Sequence, residues 1–334
     1  MTSTTIGANY RLAHKGAGVK LISFEDISNL NISPSQCCKW INAALKIKAT
    51  STLPKKISLS VEGMQNVFYN TMPSLLPDIN RGCVKLVTRY PERVPALDSE
   101  ILLYDLETGS CLALMDGDWI TTMRTGAVAA HSIRLLAKPS FAHVGIMGLG
   151  NTARATMLCL QSIFSERPLQ IGLLVYKDQH LSFAERFKAY DNLSFNFFES
   201  VEELAAWSDV FVSCVTAADS DFCSPDCFMP GTLLIPVHTR GFAQCDLVFD
   251  KVFADDIAHV SGFRYFESFK DRLTEVADVV GGVKPGRESD DERILAYNIG
   301  ISLHDTYFAS MIYQLAADET RTIDLRKPLR KIWV

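Results

Sequence analysis

The chain has no stretch approaching the ~20 consecutive apolar residues of a bilayer-spanning helix, and its opening, MTSTTIGANYRLAHKGAG, lacks the apolar core of a secretion signal. A cytoplasmic location is the expectation that follows. Positive charge is not in excess either: 33 Lys and Arg stand against 38 Asp and Glu, a formal net charge of −5. That balance gives neither nucleic acid nor an anionic membrane a general electrostatic attraction, so a small anionic ligand would have to be met by local basic groups. The nine cysteines fall in no CxxC pair of zinc spacing, and the vicinal Cys37-Cys38 is a poor disulfide candidate. No metal site is expected, and the thiols read as reduced core residues. Internal repeats and low-complexity tracts are also missing, which excludes solenoids and tails.

Apolar residues are plentiful, at 48% of 334, enough for two ordinary cores, so two domains are expected. The first ~120 residues mix periods: CCKWINAALKI has helical spacing, whereas GCVKLVTRY and SEILLYDL alternate as strands do. From about residue 140 a different rhythm sets in. FAHVGIM, LQIGLLVY, DVFVSCV, TLLIPV and LVFDKVFAD are short β-rich runs separated by helical segments, the pattern of βαβ units and a parallel sheet. Ligands of such a sheet bind at the carboxyl ends of its strands. The tail, DDERILAYNIGISLHDTYFASMIYQLA, reads as one long helix or two, weakened at Gly300, with Asp290 and Asp291 as carboxylates at a helix N-terminus.

HVGIMGLGNTARATMLCL places Gly148, Gly150 and Ala153 in the pattern G-x-G-x-x-A between a strand and a helix. Gly148 allows the tight turn, Gly150 lets a pyrophosphate approach the backbone, and Ala153 lets the helix pack close to the strand. Asn151 and Thr152, at the helix start, would then meet the phosphates. A bland strand-to-helix turn would use similar residues. At the end of the next strand, where an NAD site commonly carries a carboxylate, the chain has Tyr176 and Lys177. A cation there suits the 2′-phosphate and favours NADP(H) over NAD(H). The competing reading makes Lys177 a solvated lysine and Asp178 the ribose ligand.

Several blocks occur in order between about residues 50 and 315: MPSL (72–75), VKLVTRYP (84–91), LLYDLETG (102–109), DGDWITTMRTGAVAA (116–130), the Gly-rich turn and GRESDDERILAYNIGISLHD (286–305). Together they resemble the ornithine cyclodeaminase/mu-crystallin family. The resemblance implies an α/β fold: a Rossmann-type parallel-sheet domain, here 126–305, and a second α+β domain for substrate and dimerisation from 1–125 and 306–334. It implies a homodimer, and hydride transfer at a carbon bearing nitrogen and a carboxylate.

On that resemblance Lys85, in VKLV, takes the place of the lysine that meets the substrate carboxylate. A lysine in an apolar strand is costly to bury without an anionic partner, which agrees; an edge-strand lysine pointing to water is the alternative. Arg124 in MRTG falls near cofactor and substrate, and Thr125 near the pyrophosphate, with helix capping and a structural ion pair as the bland alternative. Lys56, in LPKKISL, stands where the family has an arginine; it keeps the charge and loses the bidentate fork. Met72 and Pro73 are expected in the pocket wall, Ile299 at the substrate, and Asn298, Val215 and Val237 at the cofactor. Ala96 departs from the family pattern at a cofactor-contacting threonine.

The loop IPVHTRGFAQCDL (235–247) places His238, Thr239 and Arg240 after an apolar strand. Aligned by its acidic-Leu end, Arg240 replaces the aspartate that serves amine chemistry in cyclodeaminases. Arginine cannot act as a base near neutral pH. Arg240 would clamp a second carboxylate, hold the NADP phosphate, or be a surface residue of a loop slipped by one or two positions. His238 is the nearby residue with a suitable pKa for proton transfer, although a lone loop histidine is more often structural. Lys85, Arg124, Arg240 and His238 are thus the catalytic candidates. The leading expectation is an NAD(P)H-dependent oxidoreductase acting on a C=N or C–N bond beside a carboxylate: an imine reductase, an amino-acid dehydrogenase, or an enzyme that makes or splits an amino-acid conjugate. The alternatives are a cyclodeaminase-type lyase that recycles NAD, and a non-catalytic NADPH-dependent binding protein like mu-crystallin.

Overall fold

The structure is a computed structural model that describes residues 18–216, 218–237, 241–316 and 320–324. Its contacts divide the chain into two units, one from residues up to Ile32, Ala49–Thr121 and Asp305 onward, the other from Ser33–Lys48 and Thr122–His304. No helix among the described residues is long and apolar enough to cross a membrane.

The first unit is a mixed sheet. Its strands are β1 (Val19–Ile22), β2 (Ile57–Ser60), β3 (Phe68–Leu76), β4 (Arg81–Arg89), β5 (Leu97–Asp105), β6 (Cys111–Asp116) and the two-residue strand Thr322–Ile323. Across the sheet the order is Thr322–Ile323, β1, β6, β5, β4, β3, β2. All neighbours are antiparallel except β1 and β6. Because side chains alternate along a strand, β4 sends Cys83, Lys85 and Val87 to its buried face while Val84 and Leu86 on the other face stay half-buried. Met72 of β3 and Ile101 of β5 lie directly across from Lys85. Strand β4 is therefore interior, and the reading of Lys85 as an edge lysine in water is excluded.

The second unit carries a wholly parallel sheet of eight strands: β7 (His143–Met147), β8 (Leu169–Leu174), β9 (Leu193–Phe198), β10 (Val210–Ser213), β11 (Leu233–Pro236), β12 (Lys251–Ala254), β13 (Leu273–Glu275) and β14 (Ile294–Tyr297). The order β13-β12-β14-β11-β10-β7-β8-β9 runs outward in both directions from β7 and β10, the doubly wound Rossmann arrangement. Strands β10, β11 and β14 are buried at every position, which is why they read as unbroken apolar runs.

Two sequence expectations need correction. The stretch 290–316 is not one helix or two: ILAY forms β14, and the helix Ser302–Leu315 follows it. Four apolar residues that fill a central strand cannot be told from a helical turn by period alone, and Gly300, at φ 84°, turns the chain between the two elements. Asp290 and Asp291 accordingly lie in a turn, where the Asp291 carbonyl accepts the Gly231 N–H at 2.9 Å, and not at a helix start. Helix α1 (Pro34–Lys46), inside the 1–125 stretch, groups with the parallel-sheet unit. Ser33 caps it and Pro34 opens it.

Candidate active site

The turn after β7 is built around two glycines with different tasks. Gly148 has φ 78°, and a Cβ there would come within 2.7 Å of the Cys214 carbonyl carbon and the Val215 nitrogen, so the turn crosses the end of β10 in close contact. This is where the strand order reverses. Gly150 is the N-cap of helix α2 (Asn151–Ile163), with φ −80° and no side-chain cap, and a Cβ there would meet nothing within 4 Å. The open space over free helix N–H groups is what a pyrophosphate requires. Ala153 is fully buried beneath it. Asn151 is exposed and Thr152 half-buried at the rim. The residues present fit a dinucleotide.

Helix α2 is pressed from one side by Asp118–Leu136, the helix of the RTGA block. A Cβ on Gly126 would lie 2.4 Å from the Ala155 carbonyl carbon and 2.5 Å from the Thr156 nitrogen, so the two helix backbones touch there. That contact places Arg124 and Thr125, both buried, on the turn of helix just before the crossing.

The other strands of this sheet end at the same edge. Val237, after β11, is buried and pairs in parallel with Asn298, after β14; its N–H donates to the Ser213 carbonyl at 2.8 Å. Asn298 donates from Nδ2 to Ser132 Oγ at 3.1 Å and to Asp255 Oδ1 at 3.4 Å, while its own buried Oδ1 has no hydrogen-bond partner among the described residues. Ile299 is 7% exposed beside it. Sequence reasoning missed Asp255. It follows β12, is fully buried and accepts the Gly300 N–H at 2.9 Å. Burial raises its carboxyl above the ordinary range, against the Gly300 hydrogen bond and the charge of Arg124. Its one sequence signal was an acidic residue at the end of an apolar strand run.

Tyr176 and Lys177, exposed after β8, form the remaining part of this edge. Lys177 adopts φ 50° and its ammonium sits 5.3 Å from the Tyr176 ring centroid. Asp178 is the exposed N-cap of the following helix and makes no capping bond. His238, Thr239 and Arg240 lie outside the described residues. The far end of their loop is pinned: Asp221 accepts the N–H groups of Ala243 and Gln244 at 2.7 and 2.8 Å. Cys245 is a fully buried thiol whose pKa is pushed far up by burial, so it is core and not nucleophile.

In the first unit Lys85 and Asp305 form an ion pair, Nζ to Oδ1 at 2.8 Å, with neither side chain exposed. Met72 is 6% exposed opposite Lys85. Lys56 is half-buried and immediately precedes Ile57, whose partner Thr71 is the neighbour of Met72. Asp305 is the second residue that sequence reasoning missed, 220 positions from Lys85.

The chain as a whole is similar to known proteins. The Delta(1)-pyrroline-2-carboxylate reductase of Bacillus cereus is 25% identical over 322 residues, 89% of this chain and 97% of that one. The nodulation efficiency protein NfeD of Rhizobium meliloti is 22% identical over 310 residues, 90% and 96% respectively. The solved Thermococcus litoralis Delta(1)-pyrroline-2-carboxylate reductase, in complex with NADH and L-proline, superposes with a TM-score of 0.80 at 25% identity, covering 92% of this chain and 100% of that chain. The sequence profile of the ornithine cyclodeaminase/mu-crystallin family matches residues 20–320, and the chain belongs to that family.

Proposed function

We propose that this protein is an NAD(P)H-dependent oxidoreductase that reduces a C=N bond beside a carboxylate, or oxidises the corresponding amine, with NADP(H) preferred. The observation that carries the reading is the Gly148–Gly150 turn at the switch point of the sheet, with open space over Gly150 and the buried Ala153 of the following helix behind it. Similarity along nearly the whole chain to pyrroline-2-carboxylate reductases supports the substrate class.

When bound, the nicotinamide supplies or accepts a hydride at the α-carbon. The chain's own residues do the rest. Gly148, Gly150, Asn151 and Thr152 receive the pyrophosphate; Thr125 adds a hydroxyl and Arg124 a buried cation. Lys177 meets the 2′-phosphate, and Asn298, Val237 and Val215 line the nicotinamide end. In the first unit Lys85 and Lys56 take the substrate carboxylate, with Met72 as wall. His238, Thr239 and Arg240 complete the reading from sequence alone, Arg240 as a group that binds charge and takes no proton.

The homodimer belongs to this proposal. Pro73, expected beside Met72 in the pocket wall, alternates to the face opposite Lys85, where it stands with Val84, Leu102, Leu114 and Leu21 in one cross-strand row over five strands, with Leu114 37% exposed. An apolar row of that length fits a second copy. Nine free cysteines, most of them buried, suit a reducing cytoplasm.

A panel of cyclic imines, 2-oxo acids with amines, and diamino acids tests the function, read by cofactor absorbance and by ammonia release. Imine-dependent loss of NADPH absorbance is expected. Ammonia release without net absorbance change would instead indicate a cyclodeaminase, and tight NADPH binding with no turnover a binding protein.

A further inference from the structure

The Lys85–Asp305 pair is buried on both sides, a placement that stability alone does not explain. Removing two charges from water costs several kcal/mol per ion, and an apolar pair of similar size commonly serves a core as well or better. Neutral groups lie in the same layer. Cys83, one pair along β4 on the same face, has its thiol pushed up to about 12 by burial, so it is uncharged at neutral pH. The Ser74 and Thr306 hydroxyls are hydrogen-bonded to each other across the same layer. Asp305 sits near the start of the helix Ser302–Leu315, a rigid support on the opposite side of the layer from β4.

We propose that Asp305 is a positioning residue for Lys85. An ammonium has three N–H donors; Asp305 takes one at 2.8 Å and so fixes the directions of the other two. Because lysine and aspartate together are neutral, Lys85 meets the substrate carboxylate as a donor of fixed geometry, not as a free charge. The inference rests on the carboxylate role given to Lys85 under the proposed function. Its consequence is particular. Neutralising Asp305 while keeping its hydrogen-bonding shape should leave the site with surplus positive charge and a loosely aimed ammonium, so carboxylates bind more tightly while turnover falls.

The test uses the full chain loaded with NADPH or NADP+. Asp305→Asn is expected to lower kcat at least tenfold and to tighten L-proline binding several-fold by calorimetry. Asp305→Glu, which keeps the charge and moves it by one methylene, is expected to lower kcat without tightening L-proline. A pair of purely structural value would lower the melting temperature of both variants and leave kcat per folded molecule and L-proline affinity unchanged, and that result overturns the proposal. If Asp305→Asn does not fold, Asp305→Glu decides by kcat alone, and an unchanged kcat overturns the proposal. A wild type that binds L-proline but reduces no imine ends the reductase reading and leaves the Asp305 proposal to stand or fall on the binding comparison.

Discussion

Asp246 and Tyr297 are bonded in the core, the phenol donating to Oδ1 at 2.6 Å, and burial raises the aspartate to about 6 in spite of that bond. A carboxyl raised in the fold binds its proton more tightly folded than unfolded. Its contribution is therefore present below the unfolded value of 3.8 and lost as pH rises through about 6. Asp246→Asn keeps an acceptor for Tyr297 and removes the buried charge, so at pH 8 it should stabilise the protein by on the order of 2 kcal/mol. Melting curves of wild type and variant at pH 4 and pH 8 check this; the gain should shrink at the lower pH. Lys177 gives a different kind of prediction. If its exposed ammonium reads the 2′-phosphate, Lys177→Asp should move the kcat/KM ratio from NADP toward NAD, and an unchanged ratio removes it from the site. Lys85→Ala should lower turnover by about 100-fold, as losing a fixed donor does, with NADPH affinity nearly unaltered. Lys85 was legible in the sequence because a lysine inside an apolar strand has to be answered by something. Asp305 was not, since an aspartate near a helix start is ordinary and only the fold brings it 2.8 Å from its partner.

Glycines separate the packing of elements from the binding of cofactor. Gly126→Ala would drive a methyl into the backbone of helix α2 at Ala155 and Thr156. Overpacking of this kind costs about 1–3 kcal/mol, and it would shift Arg124 and Thr125 together, so both melting temperature and NADPH affinity should fall. Gly150→Ala meets no atom within 4 Å and should leave the melting temperature nearly unchanged, while NADPH affinity drops because the methyl occupies the phosphate approach. Fluorescence titration and thermal melts on the two variants form one test. Loss of stability in Gly150→Ala, or none in Gly126→Ala, contradicts the division. At this scale the G-x-G-x-x-A turn was legible because its strand, turn and helix follow one another in the chain. The close crossing at Gly126 was not, because a glycine within a helix has many possible reasons and the backbone it touches is about 30 residues away. The ILAY strand was misread for the related reason that a fully buried strand has no polar face to mark its period.

For the whole molecule, the alternation along the strands of the first sheet fixes two faces of opposite character. One is closed, with Lys85, Met72, Ile101 and Met115 buried. The other bears the row from Pro73 to Leu21, half-open in a single chain. The strand character of VKLV and EILLYD was legible in sequence, but which face is closed, and the register that aligns five strands in a row, depend on pairings the sequence does not state. Helix α1 shows the same dependence on pairing: its chain neighbours belong to the first unit, while it groups with the second, where Cys159 of α2 donates to its Pro34 carbonyl at 3.9 Å. A row shared by two copies should be sensitive to charge at its middle. Leu114→Glu places a carboxylate 37% exposed in one chain into a layer that a partner would bury, and an unpaired buried charge is strongly disfavoured. Light scattering should give a mass near two chains for wild type and near one for Leu114→Glu, with the variant's NADPH affinity retained because its turn lies in the other unit. A wild type that scatters as a single chain, or a variant that remains dimeric, would leave the row without the partner proposed for it.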